Sequence, residues 1–236
     1  MIENWQEKLI SDWSGRITIK ENRVVFKGLA DQAVVIPSSM FPLKDKKYSI
    51  FCEYNTEDFV DGSELKEKAF KAFDRVESKV GKCYKNSKLL LEELRKEGIQ
   101  AESYVGWIFI GVNLLPLHHC FIVVEGNKIL DYGVLFNEKD YADLNTKRFA
   151  LTPEETRKLT LEKFKEKLSL PNHERFCIGK VYSKYYYVAS PCDCDEGLEI
   201  YNKLLKTYPN HISFIKPRGA GNETEMQKMI KSLGNY

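Results

Sequence analysis

Gly81-Lys82-Cys83-Tyr84, His118-His119-Cys120-Phe121-Ile122-Val123-Val124 and Ile129-Leu130-Asp131-Tyr132-Gly133 decide how this chain is read. Gly81 stops one helical pattern, and a second starts close to Cys83. Leu90, Leu91 and Leu94 recur along it at helical spacing, and it runs to Glu97 with Gly98 as its stop. The pattern before it opens at Asp61-Gly62-Ser63 and runs to about Val80, with Leu65, Ala69, Ala72, Phe73 and Val76 on one face. Strands are predicted after the second helix, at 101–112, 119–125 and 128–135. Two helices followed by strands on short turns predict an α+β layer, the Cys83 helix packed on an antiparallel sheet.

Outward from this centre, residues 14–52 read as strands. Arg16-Ile17-Thr18-Ile19 and Val24-Val25-Phe26 flank a turn containing Asn22, Val34-Val35-Ile36 ends at Pro37, and Tyr48-Ser49-Ile50-Phe51-Cys52 follows. These read as a β cap or wall. Beyond Phe136 a polar loop leads to Thr152-Pro153-Glu154-Glu155, an N-cap with proline in the first turn, whose helix ends at Pro171. Residues 177–188 read as one strand. The rest, from about Asp195, reads as helix, strand at 211–215, the loop Gly219-Ala220-Gly221 and helix. The expected division is 1–60 as a β-rich segment, 61–190 as the core and 191–236 as an α/β appendage.

Composition sets outer limits. The 236 residues can bury a sizeable core, and 43% apolar with 30% charged residues is ordinary for a globular chain. A net charge of +2 is too small to argue for nucleic acid or a membrane surface. No apolar run after Met1 reads as a signal peptide, and no run is long enough to span a bilayer. Six cysteines are sparse for a disulfide scaffold of this length, so reduced thiols and a cytoplasmic setting are expected.

Cysteine, histidine and aspartate in that chain order are what a thiol nucleophile, its base and the base's orienter need. At the first turn of a helix, Cys83 would meet unpaired backbone N–H groups and a partial positive charge. These favour thiolate and offer an oxyanion hole. The bland alternative is a small buried hydrophobe. Of the two histidines only one can face Cys83 and Asp131, since neighbouring strand residues point to opposite faces. A two-residue Gly126-Asn127 turn puts Asp131 opposite Ile122, on the face of His118. A three-residue loop with left-handed Asn127 puts it opposite Phe121, on the face of His119. The residues alone leave both registers open.

Gly81-Lys82-Cys83, His119-Cys120-Phe121 and Ile129-Leu130-Asp131 resemble the papain-like transglutaminase superfamily, with its bacterial transglutaminase-like cysteine proteases and arylamine N-acetyltransferases. There a Gly-x-Cys helix start, a His-x-aromatic strand and an aspartate on the next strand supply a triad. The resemblance implies a papain-like core and the triad Cys83, His119 and Asp131, and so favours His119 over His118. It also implies acyl chemistry on a peptide, protein or small amide, with no cofactor or metal. Gly81–Asn86 and Asp131-Tyr132-Gly133 look somewhat like acetyltransferase motifs, but that family's N-terminal helical pattern is not found. Amide or isopeptide hydrolysis therefore stands first, acyl transfer from a thioester second and a non-enzymatic binding module third.

Three weaker signals complete the reading. His118, His119, Cys120, Cys192 and Cys194 can be assembled on paper into a zinc site, without an ordinary Cys-x-x-Cys spacing. Pro217-Arg218-Gly219-Ala220-Gly221 before a helix has the form of an anion cradle. Tyr185-Tyr186-Tyr187 reads as alternating core and surface tyrosines.

Overall fold

The computed structural model describes residues 17–20, 23–27, 33–37, 48–79, 81–110, 115–134, 138–148, 150–183 and 185–209. The predicted strand at 211–215, the glycine loop at 219–221 and the last helix lie outside these residues. The fold is α+β, with helices on antiparallel strands. Strands β1 (Ile17–Lys20), β2 (Arg23–Lys27) and β3 (Ala33–Pro37) form a three-stranded antiparallel sheet in chain order.

The site rests on a second sheet of six strands. They are β4 (Ser49–Phe51), β5 (Ala101–Ile110), β6 (Leu115–Val124), β7 (Lys128–Asp131), β8 (Cys177–Gly179) and β9 (Tyr185–Pro191). Their order is β4-β9-β5-β6-β7-β8, and every pairing is antiparallel. The expectation of one strand over 177–188 is corrected. Gly179 turns the chain at φ 82°, and the two halves enter different parts of the sheet, β8 beside β7 and β9 beside β5.

Alternation along the central strands builds two cores. Val105, Cys120, Ile122, Val124 and Leu130 pack with the helices α1 (Glu64–Arg75) and α2 (Cys83–Lys96). Tyr104, Phe121, Val123, Ile129 and Tyr187 join a second cluster with Phe51 and Cys177. Tyr185, Tyr186 and Tyr187 are all buried, which corrects their reading as alternating core and surface residues. Helix α6 (Cys194–Thr207) starts on Asp193, whose side chain accepts from the N–H groups of Asp195 and Glu196. It packs on α2 through Tyr201 and Tyr84. The core thus draws β4 from residues before 60 and α6 from residues after 191.

Two helices depart from the sequence reading. Helix α1 ends at Arg75 rather than about Val80, because partners distant in sequence take its last carbonyls. The Asn172 amide donates to Phe73 O and Val76 O at 3.0 and 2.9 Å, and Tyr132 Oη donates to Phe73 O at 2.5 Å. The loop expected after Phe136 contains α3 (Glu138–Arg148). Its residues are mostly polar, so no apolar period marked it; ion pairs from Lys167 to Asp140 and Lys163 to Asp143 join it to α4 (Pro153–Leu168). That helix starts as predicted, with a reciprocal Thr152–Glu155 capping box. A single turn, α5 (Asn172–Arg175), follows. Among the described residues no helix is long and apolar enough to cross a membrane.

Candidate functional site

Cys83 is the first residue of α2 and is half-buried. The chain before it is shaped by one side chain. Asn86 Oδ1 accepts from Lys79 N at 3.1 Å, and its amide donates to Lys79 O at 2.9 Å. Gly81 then turns through φ 74°, conformational space that suits glycine. No side chain caps the tip, since the N-cap position is Lys82 and makes no such bond. First-turn N–H groups are therefore left beside the sulfur.

The β6–β7 hairpin decides which histidine meets it. Val124 pairs with Lys128, Val123 with Ile129 and Ile122 with Leu130, so the loop has three residues and Asp131 falls opposite Phe121. Glu125 and Gly126 take the positive φ values, 51° and 82°, rather than Asn127. This register puts Asp131 and His119 on one face. The strand β7 ends at Asp131 and not at 135, because the aspartate side chain accepts from Gly133 N at 2.6 Å and turns the chain.

Three of the sequence-predicted residues come together. His119 Nε2 lies 2.7 Å from Asp131 Oδ1, and the Cys83 sulfur is near enough to the ring to help raise its pKa. Asp131 has no exposed surface and His119 is 6% exposed, so this carboxylate is compensated by partners and not by water. Tyr187 Oη donates to the other carboxylate oxygen, Oδ2, at 2.7 Å. Burial alone would depress the His119 pKa. The Asp131 carboxylate, reinforced by the Cys83 sulfur, overrides it and pushes the value up to about 10.

One glycine makes room for the ring, and another for the close approach of β9. A Cβ on Gly133 would stand 2.3 Å from His119 Cε1 and 2.7 Å from Nε2. On the neighbouring strand His119 pairs with Gly106, where a Cβ would stand 2.1 Å from Val188 O.

His118 points the other way. Its Nδ1 is hydrogen-bonded to the hydroxyl of Tyr84, the residue after Cys83, and Trp107 and Tyr201 pack against its ring. Nε2 is buried without a hydrogen-bond partner. Burial, aided by the charge on His119, pushes its pKa down to about 3, so it stays neutral. The pair Tyr84–His118 ties the residue after Cys83 to the residue before His119, a second strut between helix tip and strand.

The five residues weighed as a zinc site do not converge, since the histidines face opposite ways. Among the described residues no three of His, Cys, Asp or Glu are grouped to hold a metal ion. None of the six cysteines is joined in a disulfide.

Sequence reading missed Tyr187, Asn86 and the Tyr84–His118 pair. Tyr187 stood in a run of three tyrosines whose individual faces nothing distinguished. Asn86 had a signal, a polar residue in the first turn of an apolar-faced helix. Compared with known proteins, the chain matches no protein-family model, no curated protein and no solved structure.

Proposed function

We propose that the chain is a cysteine hydrolase with a papain-like, transglutaminase-like core, cleaving an amide or isopeptide bond in a peptide, protein or small amide. The observation that carries the reading is one buried imidazole bonded to Asp131 at 2.7 Å, with its pKa raised further by the sulfur of Cys83 in the first turn of a helix. A reducing, cytoplasmic setting belongs to the same proposal.

The chemistry follows from the geometry. Asp131 holds Nε2–H and leaves the other ring nitrogen to face the sulfur. His119 carries the proton that the Cys83 sulfur gives up as it attacks. The sulfur attacks the substrate carbonyl carbon, and the electron pair of the C=O bond moves onto oxygen. The Cys83 N–H at the helix tip stabilises that oxyanion. His119 gives its proton to the departing amine, leaving a thioester on Cys83. His119, now neutral, takes a proton from water, which attacks the thioester; the acid departs and the sulfur is regenerated. Asp131 keeps the ring oriented through both steps.

Two measurements test this. After incubation with an activated acyl ester, intact-mass analysis is expected to show one acyl group on Cys83, absent in His119→Ala. Acylation from acetyl-CoA with no hydrolysis of amides would instead make the chain an acyltransferase. No acyl adduct from either donor would leave a binding module. For a cleaved amide, turnover is expected to fall as pH rises through about 10, where His119 loses the proton needed by the leaving amine.

A further inference from the structure

We propose that Cys120 and Cys194 form a second thiol site, a dithiol that hydrogen peroxide converts reversibly to a disulfide. Cys120 follows His119 on β6, and Cys194 is the first residue of α6. Seventy-four residues apart in sequence, their sulfurs lie 3.8 Å apart, the Cys120 thiol donating to the Cys194 sulfur. A disulfide brings sulfurs to about 2.05 Å, so a small closing of one helix tip on one strand is enough. Two other thiols are differently engaged. Cys192 Sγ turns to Asp193 O and Cys177 Sγ to Lys180 O.

The two sulfurs have unequal surroundings, which assigns each a part. Cys194 sits in the first turn of a fourteen-residue helix, where backbone dipoles favour an anion. The hydrogen bond from Cys120 lowers its pKa, against burial and the nearby Asp193 and Asp195 carboxylates. Cys120 is held the other way, its bond to Cys194 and its burial raising its pKa. Cys194 is therefore the attacking thiolate and Cys120 the resolving thiol.

The step balances. Cys194 sulfur attacks one oxygen of the peroxide, the O–O bond breaks, and the leaving hydroxide takes a proton to become water. The resulting sulfenic acid is attacked by Cys120 sulfur, the S–O bond breaks, and the hydroxide leaves with the Cys120 proton as a second water. Two thiols and one peroxide give one disulfide and two waters. Both sulfurs are buried, with 1% and 2% of their residues exposed, so a small oxidant is the fitting reagent. The site owes nothing to the proposed hydrolysis, although Cys120 neighbours the candidate base and its carbonyl accepts from Ser87 of α2 at 3.2 Å.

The test uses the full chain with Cys83→Ser, so that the half-buried thiol does not compete. After peroxide, the protein is unfolded in N-ethylmaleimide, digested and mapped by mass. The expected product is a Cys120–Cys194 cross-link that dithiothreitol removes. It is expected to persist in Cys83→Ser/Cys192→Ala, where Cys194 is the only cysteine in its peptide. In Cys83→Ser/Cys194→Ala, Cys120 is expected to be recovered as the maleimide adduct. Recovery of both Cys120 and Cys194 as maleimide adducts or separate sulfinic acids overturns the proposal. So does a cross-link from either one to Cys192. The wild-type chain, mapped in parallel, guards against a folding defect in the variants; absence of the cross-link there as well is decisive against the dithiol.

Discussion

Three donors converge on the Asp131 carboxylate: the His119 ring, the Tyr187 hydroxyl and the Gly133 N–H. Tyr187→Phe removes one of them and leaves the buried carboxylate underbonded, at a cost of about 1–3 kcal/mol, read by urea unfolding. Gly133→Ala is a sharper probe, because the added Cβ meets the His119 ring at 2.3 Å. Either the ring or the turn must move, so Cys83 alkylation is expected to slow at least as far as in His119→Ala. An unchanged rate would separate Gly133 from the site. At this scale Asp131 was legible as a candidate, but the turn its side chain makes with Gly133 N was not, since the strand was expected to run on to 135. Tyr187 was not legible, because its bond depends on β9 lying in one sheet with β6 and β7, 56 residues from Asp131 in sequence.

Among the elements, α2 does the positioning, and its tip is set by the Asn86 side chain on the Lys79 backbone. Asn86→Ala removes both bonds to the Lys79 backbone, with an expected loss of about 1–2 kcal/mol in stability. Cys83 alkylation is expected to slow more than stability alone accounts for, as the tip loses its fixed approach to His119. A stability loss with an unchanged alkylation rate would show that the tip is held by other means. The helix pair, the long hairpin and the helix at Thr152 were legible from apolar spacing, glycine stops and a capping box. The β6–β7 register was legible only as two alternatives, because three-residue and two-residue loops fit the same four letters. The early end of α1 was not, for its capping partners Tyr132 and Asn172 come from beyond β6.

For the molecule as a whole, the adjacent histidines make stability depend on pH in opposite senses. His119, raised to about 10 from an ordinary 6.5, adds stability that is full below about 6.5 and is lost as pH rises through about 10. His118, depressed to about 3, adds stability that is full above about 6.5 and is lost as pH falls toward about 3. Maximum stability is therefore expected near pH 6.5, and His119→Gln is expected to flatten the alkaline limb and, because the His119 charge helps depress His118, to ease the acid limb by a smaller amount. A wild-type alkaline limb identical to that of the variant would contradict the raised histidine. Sequence composition foresaw an ordinary globular chain, but not that the core would recruit β4 from before position 60 and α6 from after 191. Long-range pairing of that kind leaves no periodic trace.

Alkylation kinetics at Cys83 interrogate the thiol–imidazole pair most directly. Iodoacetamide is applied near neutral pH to the folded wild type, to folded His119→Ala and to the urea-unfolded chain, and Cys83 labelling is followed by mass. Cys83 in the folded wild type is expected to react fastest of the three, well ahead of buried Cys52, Cys120 and Cys177. Equal rates in folded wild type and His119→Ala, neither faster than the unfolded chain, would mean that His119 does nothing for the sulfur.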